Sequence, residues 1–146
     1  QASISTSIPS SLAVGVFGHP ADWDGLYDIA RRYGLQLIED SCEALGAEYQ
    51  SPADARRGRG PARVRAGSFG TASTFAFYPN KQITTGEGGV ILTDSKKIYG
   101  LCRSLRNQGR GDGTNWFNHV RLGYNYRLSD INCVLGISQL QELHLY

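Results

Sequence analysis

The sequence lacks the marks of several protein classes. Its three cysteines, Cys42, Cys102 and Cys133, lie far apart and form neither a Cys-x-x-Cys pair nor a metal-binding spacing with histidine. No apolar run approaches the roughly 18 residues that cross a bilayer, and a net charge of +2 gives no general attraction to nucleic acid. The N-terminus has no basic region followed by an apolar core. We therefore expect free thiols, no metal site, no membrane span, no signal peptide and a cytoplasmic location.

Two further absences concern nucleotide and acyl chemistry. The glycine-rich run 86–89 lacks the Lys-Ser/Thr of a phosphate-binding loop, and it precedes a predicted strand rather than a helix. No Gly-x-Ser-x-Gly nucleophile elbow is present. The segment 52–65 is rich in arginine, glycine and proline and predicts a surface loop, with nucleic-acid binding through Arg56–Arg65 as the weaker alternative.

The composition and the apolar pattern predict a globular α/β protein. Hydrophobic residues make up 40% of the chain and charged residues 19%, which is ordinary for one domain with a core. Short apolar runs predict strands over Leu12–Phe17, Leu35–Asp40, Gly67–Tyr78 and Gly89–Asp94. Helical spacing predicts three helices, with the apolar positions Trp23, Leu26, Tyr27 and Ala30; Ile98, Leu101, Cys102 and Leu105; and Ile131, Val134, Leu135, Leu140 and Leu143.

Two charged residues follow predicted strands at positions where an α/β sheet binds ligands. Asp40 ends the apolar run 35–40, and Lys81 lies between a hydrophobic strand and the glycine-rich turn. If both strands are parallel members of one sheet, both residues belong to its carboxyl edge. A solvated lysine and a turn-capping aspartate are the ordinary alternatives for either residue alone.

This pair suits pyridoxal 5'-phosphate (PLP). A carbonyl cofactor needs an amine held at a fixed point for a Schiff base, which Lys81 would supply. A carboxylate such as Asp40 would keep the ring nitrogen protonated. Lys81 would then also move a proton between the substrate carbon and the cofactor.

Five segments, in order along the chain, resemble the DegT/DnrJ/StrS family of PLP-dependent aminotransferases of nucleotide-linked keto-sugars. They are residues 16–22, 38–47, 75–89, 105–109 and 122–128. The resemblance implies a fold-type-I PLP-dependent transferase large domain, with a mostly parallel sheet and flanking helices. It also implies a homodimer with the site at the subunit interface, and glutamate as the amino donor.

The resemblance assigns roles residue by residue. Lys81 is the lysine that binds the cofactor and Asp40 the partner of its ring nitrogen. Glu43 falls where many relatives have a glutamine beside the ring. Asn125 matches an asparagine that reaches the cofactor phosphate of the neighbouring subunit, and Arg127 lies in the same loop. For Glu43, Asn125 and Arg127, structural hydrogen bonding is the competing interpretation.

The chain departs from the family pattern in three ways. Ala76 stands where many relatives carry a serine that binds the phosphate, and the arginine-rich segment 52–65 is longer than usual. The N-terminal portion and the small C-terminal domain of the family have no counterpart, so residues 1–146 are expected to be the central part of an incomplete large domain. A related dehydratase branch has histidine in place of the lysine, so Lys81 favours transamination. A non-catalytic or regulatory family member, or an inactive fragment, is the alternative.

Overall fold

The computed structural model describes residues 9–52, 62–111 and 117–143, and the chain divides into two compact units. The first unit comprises Gln1–Ala76 and Gly89–Leu92, and the second comprises Phe77–Gly88 and Thr93–Tyr146. The first unit contains β1 (Ser10–Val14), α1 (Trp23–Tyr33), β2 (Gln36–Asp40), β3 (Glu48–Ser51), β4 (Ala62–Arg65), β5 (Ala72–Ala76) and β6 (Gly89–Leu92). The second contains α2 (Lys96–Arg106) and α3 (Asp130–Gln141).

A four-stranded sheet organises the first unit, in the order β1-β2-β5-β6. β2 pairs in parallel with β1 on one side and with β5 on the other, whereas β6 runs antiparallel to β5. The connection from β1 through α1 to β2 forms a β-α-β unit. The expectation of an α/β fold with a mostly parallel sheet is therefore confirmed.

Helix α1 begins and ends where local chemistry predicts. The side chain of Asp22 caps the N-terminus by accepting a hydrogen bond from the Gly25 amide (3.2 Å). Gly34 ends the helix in the left-handed conformation, at φ 64°. The buried residues Trp23 and Ala30 face the core.

The core of the first unit combines α1, the sheet and a β-hairpin. Trp23 stacks on Phe69 with a centroid separation of 4.6 Å, and Tyr49 meets the edge of Phe69. The Tyr49 hydroxyl donates to Asp22 (3.0 Å), which ties the hairpin to the start of α1. Burial raises the pKa of Tyr49 above its ordinary value, so the phenol keeps the proton that it donates.

Glu39 is a carboxylate buried within this unit, with 2% of its surface exposed. Its oxygens accept hydrogen bonds from the Gly67 amide (2.8 Å), the Phe69 amide (2.9 Å) and the Ser41 hydroxyl (2.5 Å). A buried charge is tolerated only when such donors replace water. Glu39 therefore fastens the segment before β5 to the end of β2.

The predicted strand boundaries need three corrections. Strand β1 ends at Val14, and Val16–Gly18 form a 3-10 turn in which Phe17 has φ 53°, so the predicted strand Leu12–Phe17 is too long. Strand β5 is also shorter than predicted, because the turn before it presents its amides to Glu39. Strand β6 ends at Leu92, two residues before the predicted end at Asp94.

The arginine-rich segment differs from the loop predicted for it. Its last four residues, Ala62–Arg65, form β4, which pairs antiparallel with β3. Val64 is buried, and Arg63 forms an ion pair with Glu48 (3.1 Å). Residues 53–61, with Arg56, Arg57 and Arg59, lie outside the described residues.

In the second unit, the segment that follows α2 is hydrogen-bonded to the segment that precedes α3. The Gln108 amide donates to the Tyr124 carbonyl (2.8 Å), and the Tyr124 amide donates to the Leu105 carbonyl (2.8 Å). A Cβ atom on Gly109, where φ is 74°, would lie 1.8 Å from the Arg121 carbonyl oxygen. Only glycine permits this approach.

Helix α3 is present as predicted, and most of its apolar side chains are exposed. Ser129 caps it by accepting from the Asn132 amide (3.3 Å). Ile131 is 79% exposed, and Val134, Leu135 and Leu140 are exposed as well.

We expect Glu39→Gln to lower the free energy of unfolding by about 2 kcal/mol, because the amide group would face one of the backbone donors that the carboxylate now satisfies. Urea unfolding followed by circular dichroism measures this loss. Glu48→Gln, which removes only the exposed ion pair with Arg63, is the control and should cost less than about 1 kcal/mol. Equal losses in the two variants would contradict the role assigned to Glu39.

We expect Gly109→Ala to destabilise the second unit by more than about 3 kcal/mol, since the new Cβ meets a carbonyl oxygen in addition to the left-handed strain. Gly86→Ala is the matched control, because its φ of 79° is similar and the nearest atom to its Cβ is 3.7 Å away. That variant should lose only about 1–2 kcal/mol, the cost of the backbone conformation. Amide exchange at Gln108 and Tyr124 reports the difference, and similar exchange rates in both variants would refute it.

Candidate functional site

Asp40 ends β2, the strand of the sheet that has parallel neighbours on both sides. It is half-buried, and its Oδ1 accepts a hydrogen bond from the Cys42 amide (3.0 Å). Within the described ranges 9–52, 62–111 and 117–143, no hydrogen bond reaches the second oxygen, Oδ2. The Asp40 carboxylate is thus oriented through Oδ1, and its Oδ2 can accept a hydrogen bond from a ligand.

Glu43 lies in the turn that follows Asp40, in the same unit. Its Oε2 accepts a hydrogen bond from the Phe17 amide (3.0 Å), so it holds the 3-10 turn after β1. Phe17 is 94% exposed and adopts a positive φ that bulky residues rarely take. This contact supports the structural interpretation of Glu43 and brings it to the same end of the sheet as Asp40.

Lys81 is half-buried in the loop Phe77–Gly88 of the second unit. Two backbone hydrogen bonds close the neck of this loop, from the Phe77 amide to the Gly88 carbonyl (2.8 Å) and from the Thr85 amide to the Phe77 carbonyl (3.0 Å). The Lys81 amide donates to the Tyr78 carbonyl (3.0 Å). The lysine is therefore presented from a closed loop rather than from an open surface segment.

Two threonines complete this loop and were not among the predicted site residues. The Thr84 hydroxyl donates to the Phe77 carbonyl (3.1 Å), and the Thr85 hydroxyl donates to the Glu87 carbonyl (2.8 Å). Thr85 is 3% exposed, and a Cβ on Gly88 would lie 2.5 Å from its hydroxyl oxygen. The adjacent threonines before a glycine-rich turn were the available signal, since hydroxyl groups commonly bond to nearby backbone.

Asn125 and Arg127 meet at Asn107 in the second unit. The backbone of Asn125 forms an isolated antiparallel bridge with Asn107, and the Arg127 guanidinium donates to the Asn107 side-chain oxygen (2.9 Å). Both residues are exposed. The structure thus groups Asn125 with Arg127 and groups Asp40 with Glu43, while Lys81 lies in its own loop of the second unit.

The candidate residues have the chemistry that two of the three binding groups of PLP require, its aldehyde and its ring nitrogen. An amine on a closed loop and a carboxylate with an available oxygen are the groups that the cofactor aldehyde and ring nitrogen require. The third part, the phosphate, has no hydroxyl partner at Ala76, the last residue of β5. Phosphate binding therefore depends on other groups, of which Asn125 is the predicted one.

The described residues contain neither a metal-binding cluster nor a membrane-spanning helix. Among the described residues, no group of three or more His, Cys, Asp or Glu side chains could hold a metal ion. In the same part of the chain, no helix has the length and apolar character needed to cross a membrane. No disulfide joins Cys42, Cys102 or Cys133.

Curated proteins similar to this chain include enzymes named for nucleotide-linked amino sugars. GDP-perosamine synthase of Escherichia coli O157:H7 is 34% identical over 139 residues, which cover 95% of this chain and 35% of that protein. The UDP-4-amino-4,6-dideoxy-N-acetyl-beta-L-altrosamine transaminase of Campylobacter jejuni (strain 81-176) is 36% identical over 140 residues, covering 95% and 34%. The chain spans about a third of the length of the curated relatives it matches.

Solved structures with the same fold are aminotransferases and a dehydratase. Helicobacter pylori PseC, an aminotransferase of pseudoaminic acid biosynthesis, superposes with a TM-score of 0.78 at 28% identity, covering 92% of this chain and 33% of that one. Escherichia coli GDP-4-keto-6-deoxy-D-mannose-3-dehydratase with bound hydrated PLP gives 0.76 at 27% identity, covering 97% and 38%. These neighbours confirm the fold-type-I assignment.

The family match extends over almost the whole sequence. Residues 4–146 match the DegT/DnrJ/EryC1/StrS aminotransferase family. That range includes all five segments on which the sequence resemblance depends, together with Asp40 and Lys81. The chain belongs to the DegT/DnrJ/EryC1/StrS aminotransferase family.

Proposed function

We propose that this chain carries the cofactor-binding centre of a PLP-dependent aminotransferase that acts on a nucleotide-linked keto-sugar. The observation that carries the proposal is the closed Lys81 loop in a chain whose residues 4–146 match an aminotransferase family. The amino donor is an amino acid, with glutamate as the first candidate. The product is an amino sugar for polysaccharide or related biosynthesis, in keeping with relatives named for GDP- and UDP-linked amino sugars.

Lys81 is the catalytic residue of this proposal. Its Nζ amine would hold the cofactor through a covalent bond to the aldehyde carbon, with the carbonyl oxygen leaving as water. When bound, PLP would supply an electron sink for the bond to the reacting carbon. The Lys81 amine would also move a proton to and from that carbon. Retention of lysine at this position favours transamination over the dehydration catalysed by the histidine-bearing branch.

Asp40 serves the same cofactor by holding a proton at its ring nitrogen. The Cys42 amide orients the carboxylate through Oδ1, which leaves Oδ2 to accept a hydrogen bond from the protonated ring. Such a charge-assisted hydrogen bond is strong where water is partly excluded. Its half-buried position at the end of an interior strand suits that role.

The remaining site residues have supporting roles in the proposal. Glu43 lies near the cofactor ring and supports the turn at Phe17. Asn125 binds the cofactor phosphate across a homodimer interface, and Arg127 steadies the Asn125 segment through Asn107. We further propose a cytoplasmic homodimer in which residues 1–146 are the central part of the large domain.

Lys81→Ala should remove most of the adduct that the chain forms with PLP and leave only label on Lys96 and Lys97, because no other amine lies on this loop. The measurement is visible absorbance during a PLP titration, followed by borohydride reduction and mass analysis. Lys97→Ala, which removes a lysine from the exposed start of α2, is the matched control and should leave the adduct unchanged. Equal adduct formation in both variants would contradict the assignment, and absence of any adduct in the unchanged chain would favour the non-catalytic alternative.

Asp40→Asn should weaken PLP binding by at least about tenfold, since the uncharged amide cannot hold the proton of the ring nitrogen. The amide oxygen can still accept from the Cys42 amide, so the turn should keep its structure. Equilibrium titration by absorbance measures the change. Asp94→Asn, at an exposed position, is the control. If the two variants bound PLP equally well, Asp40 would not be its ring partner.

A further inference from the structure

Helix α3 contacts the Lys81 loop through polar side chains. The Asn132 amide group donates a hydrogen bond to the Thr85 carbonyl, and the Gln139 side-chain oxygen accepts one from the Thr84 amide (3.1 Å). Between them, a Cβ atom on Gly136 would lie 2.9 Å from the Thr85 methyl carbon. These three residues dock the Thr84–Thr85 corner of the loop onto one surface of the helix.

The spacing of the three residues gives α3 a polar contact stripe. Positions 136 and 139 follow position 132 by four and seven residues, so the three positions share one face of the helix. The apolar side chains Ile131 and Val134 lie on other parts of the surface, Leu135 borders the contact, and all three are exposed. Hydrogen bonds are directional, whereas apolar packing tolerates sliding. The contact therefore fixes the loop at a defined place rather than merely covering it.

Lys81 is close in the chain to this docked corner. Thr84 and Thr85 follow Lys81 by three and four residues. Ile83, which lies between Lys81 and Thr84, is 3% exposed. The neck hydrogen bonds of Phe77 restrain the other side of the loop. With both sides held, the backbone that carries the lysine has little freedom to shift.

We propose that Asn132 and Gln139 are positioning residues that hold the Lys81 amine where it reacts with a carbonyl cofactor. The inference rests on the proposed role of Lys81 as the cofactor-binding lysine. Neither side chain needs to touch the cofactor, because each acts on the loop backbone. Loss of either hydrogen bond lets the loop sample other positions and lowers the fraction of time in which the amine is correctly placed.

The test uses the whole 146-residue chain incubated with PLP and reduced with borohydride. Peptide mass analysis gives the ratio of label on Lys81 to label on Lys96 and Lys97, the two other lysines of the chain, which serve as internal references. Gln139→Met keeps the side-chain volume but lacks the amide oxygen. We expect it to lower the ratio about fivefold, the factor that corresponds to one hydrogen bond of ordinary strength.

A second variant probes the other contact. Asn132→Asp replaces the donor to the Thr85 carbonyl by an acceptor, yet it can still accept from the Ser129 hydroxyl and is favoured in the first turn of a helix. The start of α3 should therefore survive, and the labelling ratio should fall as in Gln139→Met. Gln139→Glu, which retains an oxygen to accept from the Thr84 amide, should keep most of the unchanged ratio.

The matched control is Gln141→Met, the same substitution at an exposed position of α3. It should change neither the labelling ratio nor hydrogen exchange at the Thr84 amide, whereas Gln139→Met should speed that exchange. A high ratio retained in both Gln139→Met and Asn132→Asp would overturn the positioning role alone. A chain without preference for Lys81 before any substitution would overturn the proposed role of the lysine, and this inference with it.

Discussion

The carboxylate of Glu39 accepts hydrogen bonds from Ser41, Gly67 and Phe69 in the interior of the first unit, and much of that unit depends on it. Through Phe69, the same segment reaches the stacked ring of Trp23 on α1. Its neighbour Asp40 lies on the opposite side of the strand, because successive side chains alternate. One strand end thus bears a carboxylate that holds the fold and a carboxylate that we propose binds the cofactor.

The parts of the fold that were predictable from sequence are those determined by neighbouring residues. Asp22 and Gly34 mark the ends of α1, and the apolar run before Asp40 marks an interior strand. The hairpin of β3 and β4 was missed because its pairing is long-range and residues 52–65 show no apolar periodicity. For α3, spacing predicts a helix but does not tell which side is covered, and the polar side makes the contact with the loop.

The candidate site likewise contains residues that the sequence could suggest and residues that only the structure reveals. Asp40 and Lys81 could be found because each follows a strand, which is a local property of the sequence. The residues that hold the Lys81 loop could not, since Asn132 lies 47 positions from Thr85 and Gln139 lies 55 from Thr84. Polar residues that bond to distant backbone leave no periodic signal. Sequence therefore suggests candidate reacting groups more readily than the groups that hold their loops.

The hydrogen bond from the Phe17 amide to Glu43 limits which substitutions position 43 can accept. Phe17 adopts a backbone conformation that costs about 1–2 kcal/mol for a residue other than glycine, and this bond helps to offset that cost. A glutamine would also present a side-chain oxygen that can accept from the same amide. The negative charge at position 43 can therefore be removed without rebuilding the turn after β1, whereas a side chain without an oxygen would leave the Phe17 amide without this partner.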